Sequence, residues 1–291
     1  MPELPEVETV RRMLEASVRG RTVRSVTLSG FALRRRVPRE VPRALRGRTI
    51  TGVARVGKYL LLGFDGDVTL LSHLGMSGRW LFFPDARAPR LEHVHARVVF
   101  ADGSRLWFQD ARRFGMMRAL ATGRLASDPT LRKLGPDPMT APPEGALLGR
   151  AAQSLRIGVK PFLLDQHRIA GIGNIYASEI LFRARVDPRR AAGRVTTAEW
   201  DAIATEIPAV LGEAIEGLGT TFSMYRTLWG EPGSFAGQLR VYDRAGEPCI
   251  ACARPIRRVV QSQRATFYCP GCQRPGARRA KKPAKGRPRR A

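Results

Sequence analysis

The chain has no cysteine outside residues 249 to 272, half as many acidic as basic side chains, and no apolar run longer than a few residues. Without dispersed cysteines there is no disulfide framework of the kind that staples small secreted folds. The apolar stretches, such as Tyr59 to Leu62, fall far short of the roughly 18 residues that a membrane span requires. The N-terminus carries Glu3, Glu6 and Glu8 where a signal peptide would carry basic residues. A cytoplasmic, monomeric protein with no membrane partner is therefore expected. No repeat of 20 to 50 residues and no nucleotide-binding glycine loop is present, which excludes solenoids and the common nucleotide folds.

What is abundant is positive charge. Fifty Lys and Arg face 25 Asp and Glu, a formal net charge of +25 over 291 residues. A polyanion is the expected partner, held by salt-dependent phosphate contacts. Residues 21 to 120 alternate or run apolar in short stretches, with Asp65-Gly66 and Asp102-Gly103 as hairpin turns, and read as a β-sandwich. Prolines 136, 138, 142 and 143 then mark a linker. Thr196 and Glu199 spell a capping box before Trp200, Ile203, Ile207, Val210, Ala214 and Leu218, a helical spacing that Pro208 is expected to kink or split. Residues 274 to 291 hold nine Lys or Arg and no acid, the composition of a disordered, phosphate-attracting tail.

Three motifs carry chemistry. Cys249-x2-Cys252-x16-Cys269-x2-Cys272 supplies four thiolates in two close pairs, a structural Zn2+ site with no open position for catalysis. Gly171-Ile172-Gly173-Asn174 precedes a helical run, so its free N–H groups are expected to face a phosphate. At the start, Met1-Pro2-Glu3-Leu4-Pro5-Glu6 places a proline behind the initiator. Removal of Met1 would leave a secondary amine able to form a Schiff base with a sugar aldehyde, next to the Glu3 carboxylate.

These motifs, together with His73-Leu74-Gly75-Met76-Ser77-Gly78, Asp110-Ala111-Arg112-Arg113-Phe114-Gly115, Ala170 to Glu179 and Arg264 to Gln273, resemble the formamidopyrimidine-DNA glycosylase family from residue 2 to residue 273. The resemblance implies a multidomain α+β fold. It comprises an N-terminal β-sandwich flanked by a helix (1–135), a linker (136–153), a helix-two-turn-helix domain (154–237), a four-cysteine zinc finger (238–273) and the basic tail (274–291). It implies excision of oxidised purines, 8-oxoguanine and formamidopyrimidines, from duplex DNA, with β,δ-elimination at the resulting abasic site. In that assignment Pro2 is the nucleophile, Glu3 moves protons at the sugar, and Glu6 lies near the lesion. Lys58, Asn174 and Arg264 clamp phosphates; Met76, Arg112 and Phe114 fill the gap left by the flipped nucleotide, with His73 and Arg113 beside them. His93 and His95 read as same-face strand residues, and His167 as structural. The chain departs from the family pattern at Leu218, Ala236 and Asp243, which bears on the choice of lesion. Two other readings are an endonuclease VIII-type glycosylase for oxidised pyrimidines, and a noncatalytic zinc-finger DNA-binding protein. Leu4, Met76 and Arg112-Arg113-Phe114 argue against the first; a Pro2–Glu3 pair, superfluous for binding alone, argues against the second.

Overall fold

The alternating first half folds into two antiparallel sheets. The computed structural model describes residues 1–85, 87–221 and 225–274. Strands β1 (Val23–Leu28), β5 (Arg79–Phe83), β6 (Val94–Phe100) and β7 (Arg105–Gln109) form one sheet, in the order β1-β6-β7-β5. Strands β2 (Ile50–Val56), β3 (Tyr59–Phe64), β4 (Val68–His73) and β8 (Met116–Ala121) form the other, in the order β2-β3-β4-β8. Period-two alternation turns Leu60, Leu62 and Leu70 of one sheet and Trp80, Phe82 and Phe108 of the other into a shared core. A short helix, α2 (Val41–Leu45), adds Val41 and Leu45 to it.

Helix α1 (Leu4–Val18) joins this sandwich to the rest of the molecule. Val7, Val10, Leu14 and Val18 recur at helical spacing and enter the sandwich core, whereas Leu4 belongs to the second, helical core. That second core is built by α3 (Gly145–Ala152), α4 (Val159–Leu164), α5 (Asn174–Arg183) and α6 (Thr197–Glu216). The stretch read as a linker thus contains a helix: Leu148 and Ala152 of α3 are buried in the helical core. The prolines end at Pro143, and past Glu144 the apolar residues return at helical spacing.

The capping box of α6 forms as its sequence demands, with Thr196 Oγ1 accepting from Glu199 N and Glu199 accepting from Thr196 N. The helix is not split at Pro208 but runs as one element. An interior proline costs about 3 kcal/mol. Eight buried side chains, including Trp200, Ile203, Ile207 and Val210, more than offset it at about 1.5–3 kcal/mol for each large one. A hairpin of β9 (Arg257–Gln261) and β10 (Arg264–Tyr268) closes the chain, turning at Ser262 and Gln263 with φ of 47° and 60°. Apart from Arg274, the basic tail lies outside the described residues. Among the described residues no helix is long and apolar enough to cross a membrane.

Candidate active site and nucleic-acid interface

The first turns of α1 and α5 meet at the junction of the two cores. Both present a positive end, and two carboxylates lie between them. Glu3 is the N-cap of α1, and its carboxylate accepts from Ile175 N at 3.0 Å and Tyr176 N at 3.3 Å, in the first turn of α5. The N-cap of α5 is Gly173, where a Cβ would stand 2.1 Å from the Glu3 carboxyl carbon. Glycine is the residue that lets the two helices approach so closely. The anion that this glycine turn receives is therefore internal: the N–H groups expected to face a phosphate are taken by Glu3. Glu6 completes the capping box, accepting from Glu3 N at 2.7 Å, and also accepts from Thr220 N at 2.8 Å and Tyr176 Oη at 2.5 Å. Burial, with the Glu3 charge adding to it, raises the Glu6 carboxyl above the ordinary range.

Cations converge on the same place from both cores. Lys58 sits in the tight turn between β2 and β3, where Gly57 has φ of 56°, and its Nζ donates to Ile172 O at 3.1 Å. Burial lowers the Lys58 pKa; Glu3 opposes the shift and Arg264 adds to it. Asn174 donates to Ala265 O at 3.0 Å and Tyr242 Oη at 3.4 Å, tying α5 to the hairpin that carries exposed Arg264 at its turn. Pro2 is buried while Met1 is exposed. Met1 lines two adjoining cavities: one of about 290 Å³ with Glu3, Asn174 and Arg264, the other of about 670 Å³ with His73, Met76, Arg112 and Phe114. The residues assigned to chemistry and those assigned to gap filling therefore open on one another at the first residue of the chain.

The gap-filling side has a different construction. Met76 and Phe114 are 37% and 44% exposed, far more than their apolar surfaces would be in a core, and the Arg112 guanidinium lies 5.1 Å from the Phe114 ring. Their backbones are clamped. Buried Asp110 accepts from Ser77 Oγ at 2.5 Å and Gly115 N at 2.7 Å, and Ser77 Oγ in turn accepts from Arg112 N at 3.0 Å. At Gly75, with φ of 64°, a Cβ would lie 2.4 Å from the Phe114 carbonyl carbon, so the two loops pass in backbone contact. His73 Nδ1 accepts from Gly75 N at 2.9 Å, and burial, then nearby Lys58 and Arg34, lower its pKa to about 4, which leaves the ring neutral. Arg113 has φ of 57° and lies 6.0 Å from the Phe31 ring. His95 is in β6, bonded to Ser29 Oγ and Asp110 O; His93 precedes the strand at φ of 59°, so the two do not share a strand face. His167 Nδ1 contacts Lys133 O at 2.5 Å.

The four cysteines come together across the base of the β9–β10 hairpin. All four sulfurs lie within 4.8 Å of one another, with Cys249–Cys272 at 3.8 Å and Cys252–Cys269 at 3.4 Å. A tetrahedron with Zn–S bonds of about 2.3 Å has edges of about 3.8 Å, so this donor set fits one structural Zn2+. Phe182 of α5 packs in the same cluster as Cys249 and Cys269, coupling the finger to the helical core.

Sequence reasoning missed several buried polar groups that hold the site. Lys160 is fully buried on α4 and donates to Ala265 O at 3.0 Å and Thr266 Oγ1 at 3.2 Å, directly behind Arg264. Burial lowers its pKa to about 7; Glu3 opposes this and Arg264 adds to it. Glu179 accepts from the successive N–H groups of Arg240, Val241 and Tyr242 at 2.9, 3.0 and 2.8 Å, fixing the chain where it enters the finger. The signal for Lys160 was a lone cation in the apolar run Val159 to Leu164, and that for Glu179 an acid on an otherwise buried helix.

The comparisons with known proteins agree along most of the chain. Residues 1–117 match the formamidopyrimidine-DNA glycosylase N-terminal domain, residues 134–225 the H2TH domain of the same enzymes, and residues 246–275 the zinc finger found in FPG and IleRS. The formamidopyrimidine-DNA glycosylase of Bordetella pertussis is 44% identical over 277 residues, 94% of this chain and 100% of the relative. That of Methylococcus capsulatus is 44% identical over 274 residues, with the same coverages. Among solved structures, the MutM (Fpg) protein of Thermus thermophilus superposes with a TM-score of 0.83 at 40% identity, over 94% of this chain and 98% of that one. Lactococcus lactis Fpg with an abasic site-containing DNA does so at 0.85 and 31% identity, over 94% and 100%. By domain order, identity and coverage, the chain belongs to the formamidopyrimidine-DNA glycosylase family.

Proposed function

We infer that this protein is a base-excision DNA glycosylase for oxidised purines whose Pro2 amine, freed by removal of Met1, also cleaves the strand at the resulting abasic site. The single observation that carries the reading is the position of Met1, which stands where the chemical cavity opens on the gap-filling cavity, with Glu3 behind it. A nucleotide turned out of the duplex past Met76 and Phe114 would bring its sugar to that junction. The Pro2 nitrogen attacks C1′, the C1′–N bond to the base breaks, and the base leaves with a proton. Glu3, held by two N–H groups of α5, supplies proton transfer at the sugar. The C1′–O4′ bond then opens as O4′ takes a proton, giving the iminium; the 3′ and 5′ phosphates leave by β- and δ-elimination as protons are lost from the sugar carbons, and water hydrolyses the remaining C1′–N bond, releasing an unsaturated aldehyde and the free amine.

In this reading the phosphate clamp is Asn174 and Arg264, which line the chemical cavity, with Lys58 bonded beside them at Ile172 O. Arg112, on the gap-filling cavity, faces the base left without a partner. Zn2+ on Cys249, Cys252, Cys269 and Cys272 holds the hairpin that carries Arg264 and takes no part in a chemical step. A cytoplasmic, nucleoid-associated location accords with a DNA substrate and a charge of +25.

The test is borohydride trapping on duplexes bearing 8-oxoguanine, a formamidopyrimidine or an oxidised pyrimidine opposite cytosine. The expected result is a covalent adduct that peptide mapping places on Pro2, with cleavage of the purine substrates. A protein that retains Met1 and still cuts 8-oxoguanine duplexes would refute the mechanism. Efficient cutting of the pyrimidine substrate alone would favour the endonuclease VIII type.

A further inference from the structure

Where the chain enters the finger it makes a turn that the proposed chemistry does not use. Buried Glu179 accepts from the N–H groups of Arg240, Val241 and Tyr242, and Arg244 N then donates to Val241 O at 3.2 Å, closing the turn over Tyr242 and Asp243. Asp243 is its third residue, with φ of 61°, the left-handed region that glycine enters freely and other residues enter against a steric penalty. An aspartate offsets that penalty when its carboxylate bonds to the local backbone. Here the Asp243 side chain is exposed and, among the described residues, makes neither a hydrogen bond nor an ion pair. The fold therefore gives no reason for a carboxylate at this place, which is also one of the three at which the chain departs from the family pattern.

What Asp243 shares is the cavity of the phosphate clamp. It lines the chemical cavity together with Glu3, Asn174, Tyr242 and Arg264. Tyr242 registers the charges around it: burial raises its pKa, the bond from Asn174 Nδ2 at 3.4 Å opposes the rise, Glu3 and Asp243 add to it, and Arg264 opposes it. A cation and an amide that would hold a phosphate thus stand in one cavity with a fixed anion. That anion repels whatever phosphate the clamp admits, in proportion to the charge the phosphate carries. A phosphodiester within a strand carries one negative charge. Elimination on both sides of the sugar turns each flanking phosphate into a terminal monoester, which carries about 1.5 to 2 negative charges at neutral pH. Substrate and product therefore differ at the clamp in the property to which a carboxylate responds.

We propose that Asp243 sets the release of the cleaved strand, its carboxylate repelling the phosphate monoester left in the clamp more strongly than the phosphodiester that entered it. The inference rests on the glycosylase and lyase reading, which supplies the phosphate ends. Asp243 makes and breaks no bond. It gives up part of the affinity for intact DNA, and in return the product is expelled instead of being retained by Asn174 and Arg264.

The experiment measures the affinity of the full chain, of Asp243→Asn and of Asp243→Gly for three duplexes. One is intact and carries a tetrahydrofuran abasic analogue, one has a single-nucleotide gap ended by 3′ and 5′ phosphates, and one has the same gap ended by hydroxyls. Asparagine and glycine both accept the left-handed backbone, so both variants are expected to fold. At about 0.1 M salt each variant is expected to bind the intact duplex about threefold more tightly than the parent, the phosphate-ended gap about tenfold, and the hydroxyl-ended gap within about twofold. On an 8-oxoguanine duplex the ratio of steady-state to single-turnover rate should fall by about threefold or more, as release becomes slow. A gain no larger on the phosphate ends than on the intact duplex, or an unchanged ratio of rates, overturns the proposal. So does a gain seen with Asp243→Gly alone, which would assign the effect to the backbone. A parent chain that leaves both 8-oxoguanine and abasic duplexes uncut overturns instead the reading on which the proposal rests.

Discussion

The two cavities that meet at Met1 are built on opposite plans. On the gap-filling side the side chains are exposed and the backbone is fixed, by Asp110, Ser77 and the contact at Gly75. On the chemical side, apart from exposed Arg264 and half-buried Asn174, the side chains are buried and are themselves the clamps: Glu3 on α5, Lys58 on Ile172, Lys160 on Ala265, Glu179 on the chain entering the finger. A group that enters a duplex must be presented with nothing behind it to lose, so rigidity is placed in the loop. Groups that move protons or meet phosphates must be aimed, and a buried carboxylate or ammonium is aimed by the same bonds that make its burial tolerable. Substitutions should therefore separate activity from stability on the first side and merge them on the second.

The largest effect tests the chemical side. Glu3→Gln keeps the shape but not the proton-transfer capacity, and is expected to slow base excision by about 10²–10⁴-fold. Trapping on a preformed abasic duplex should survive in part, since the base has already left. Assays of both substrates on one preparation check this, and equal loss would assign Glu3 a purely structural part. Next is Cys269→Ser, which breaks the Zn2+ set and with it the support of the hairpin behind Arg264. Metal content should fall, and affinity for an abasic duplex should drop by about a hundredfold, measured by metal analysis and filter binding.

The gap-filling side predicts a sharper contrast between two neighbours. Arg112→Ala should cost about 1–3 kcal/mol of discrimination among bases opposite the lesion. Its unfolding free energy should stay within about 0.5 kcal/mol of the parent, because the side chain holds nothing in place. Asp110→Ala should lose the same discrimination and also about 1–3 kcal/mol of stability, because Ser77 and Gly115 are left without an acceptor. Similar denaturation midpoints for the two variants would erase the distinction between the exposed side chain and the buried clamp of the backbone beneath it.

The smallest effect concerns Lys160. Its folded pKa is depressed from 10.5 to about 7, so between these values the unfolded chain binds a proton that the folded chain has released. Stability contributed through this group accordingly rises with pH across that window and is flat below it. Lys160→Met should abolish the rise, visible as a difference between parent and variant midpoints that changes from about pH 6 to about pH 10.

The legible parts of the sequence were those with a local period or spacing. Strand alternation, the capping box at Thr196 and the cysteine pairs each constrain residues within one element or one turn, so they can be read without knowing the fold. The split allowed for at Pro208 does not occur, because the local cost of the proline is real but smaller than the burial around it, a sum that only packing reveals. The helix α3 was hidden by the prolines just before it. Lys160, Glu179 and Asp110 gave weak signals for a common reason: each satisfies backbone or side-chain groups far along the chain or in another element, and such bonds leave no periodic trace. Glu3 shows the limit most clearly, since the motif identified it while the partner that positions it lies 172 residues away.

The place of β5 at the end of its sheet has a consequence for handling the protein. An uncovered strand edge is a template for pairing with another copy. The turn that carries Leu228 and Trp229 occupies part of that edge, Leu228 O accepting from Phe82 N at 3.2 Å, and lays Trp229 across the adjoining aromatic surface. Mild denaturant or heat that lifts this turn before either core melts would bare both at once. Self-association should then begin below the main unfolding transition, grow with protein concentration, and be accompanied by a change in the Trp229 environment, with storage and assay conditions chosen accordingly.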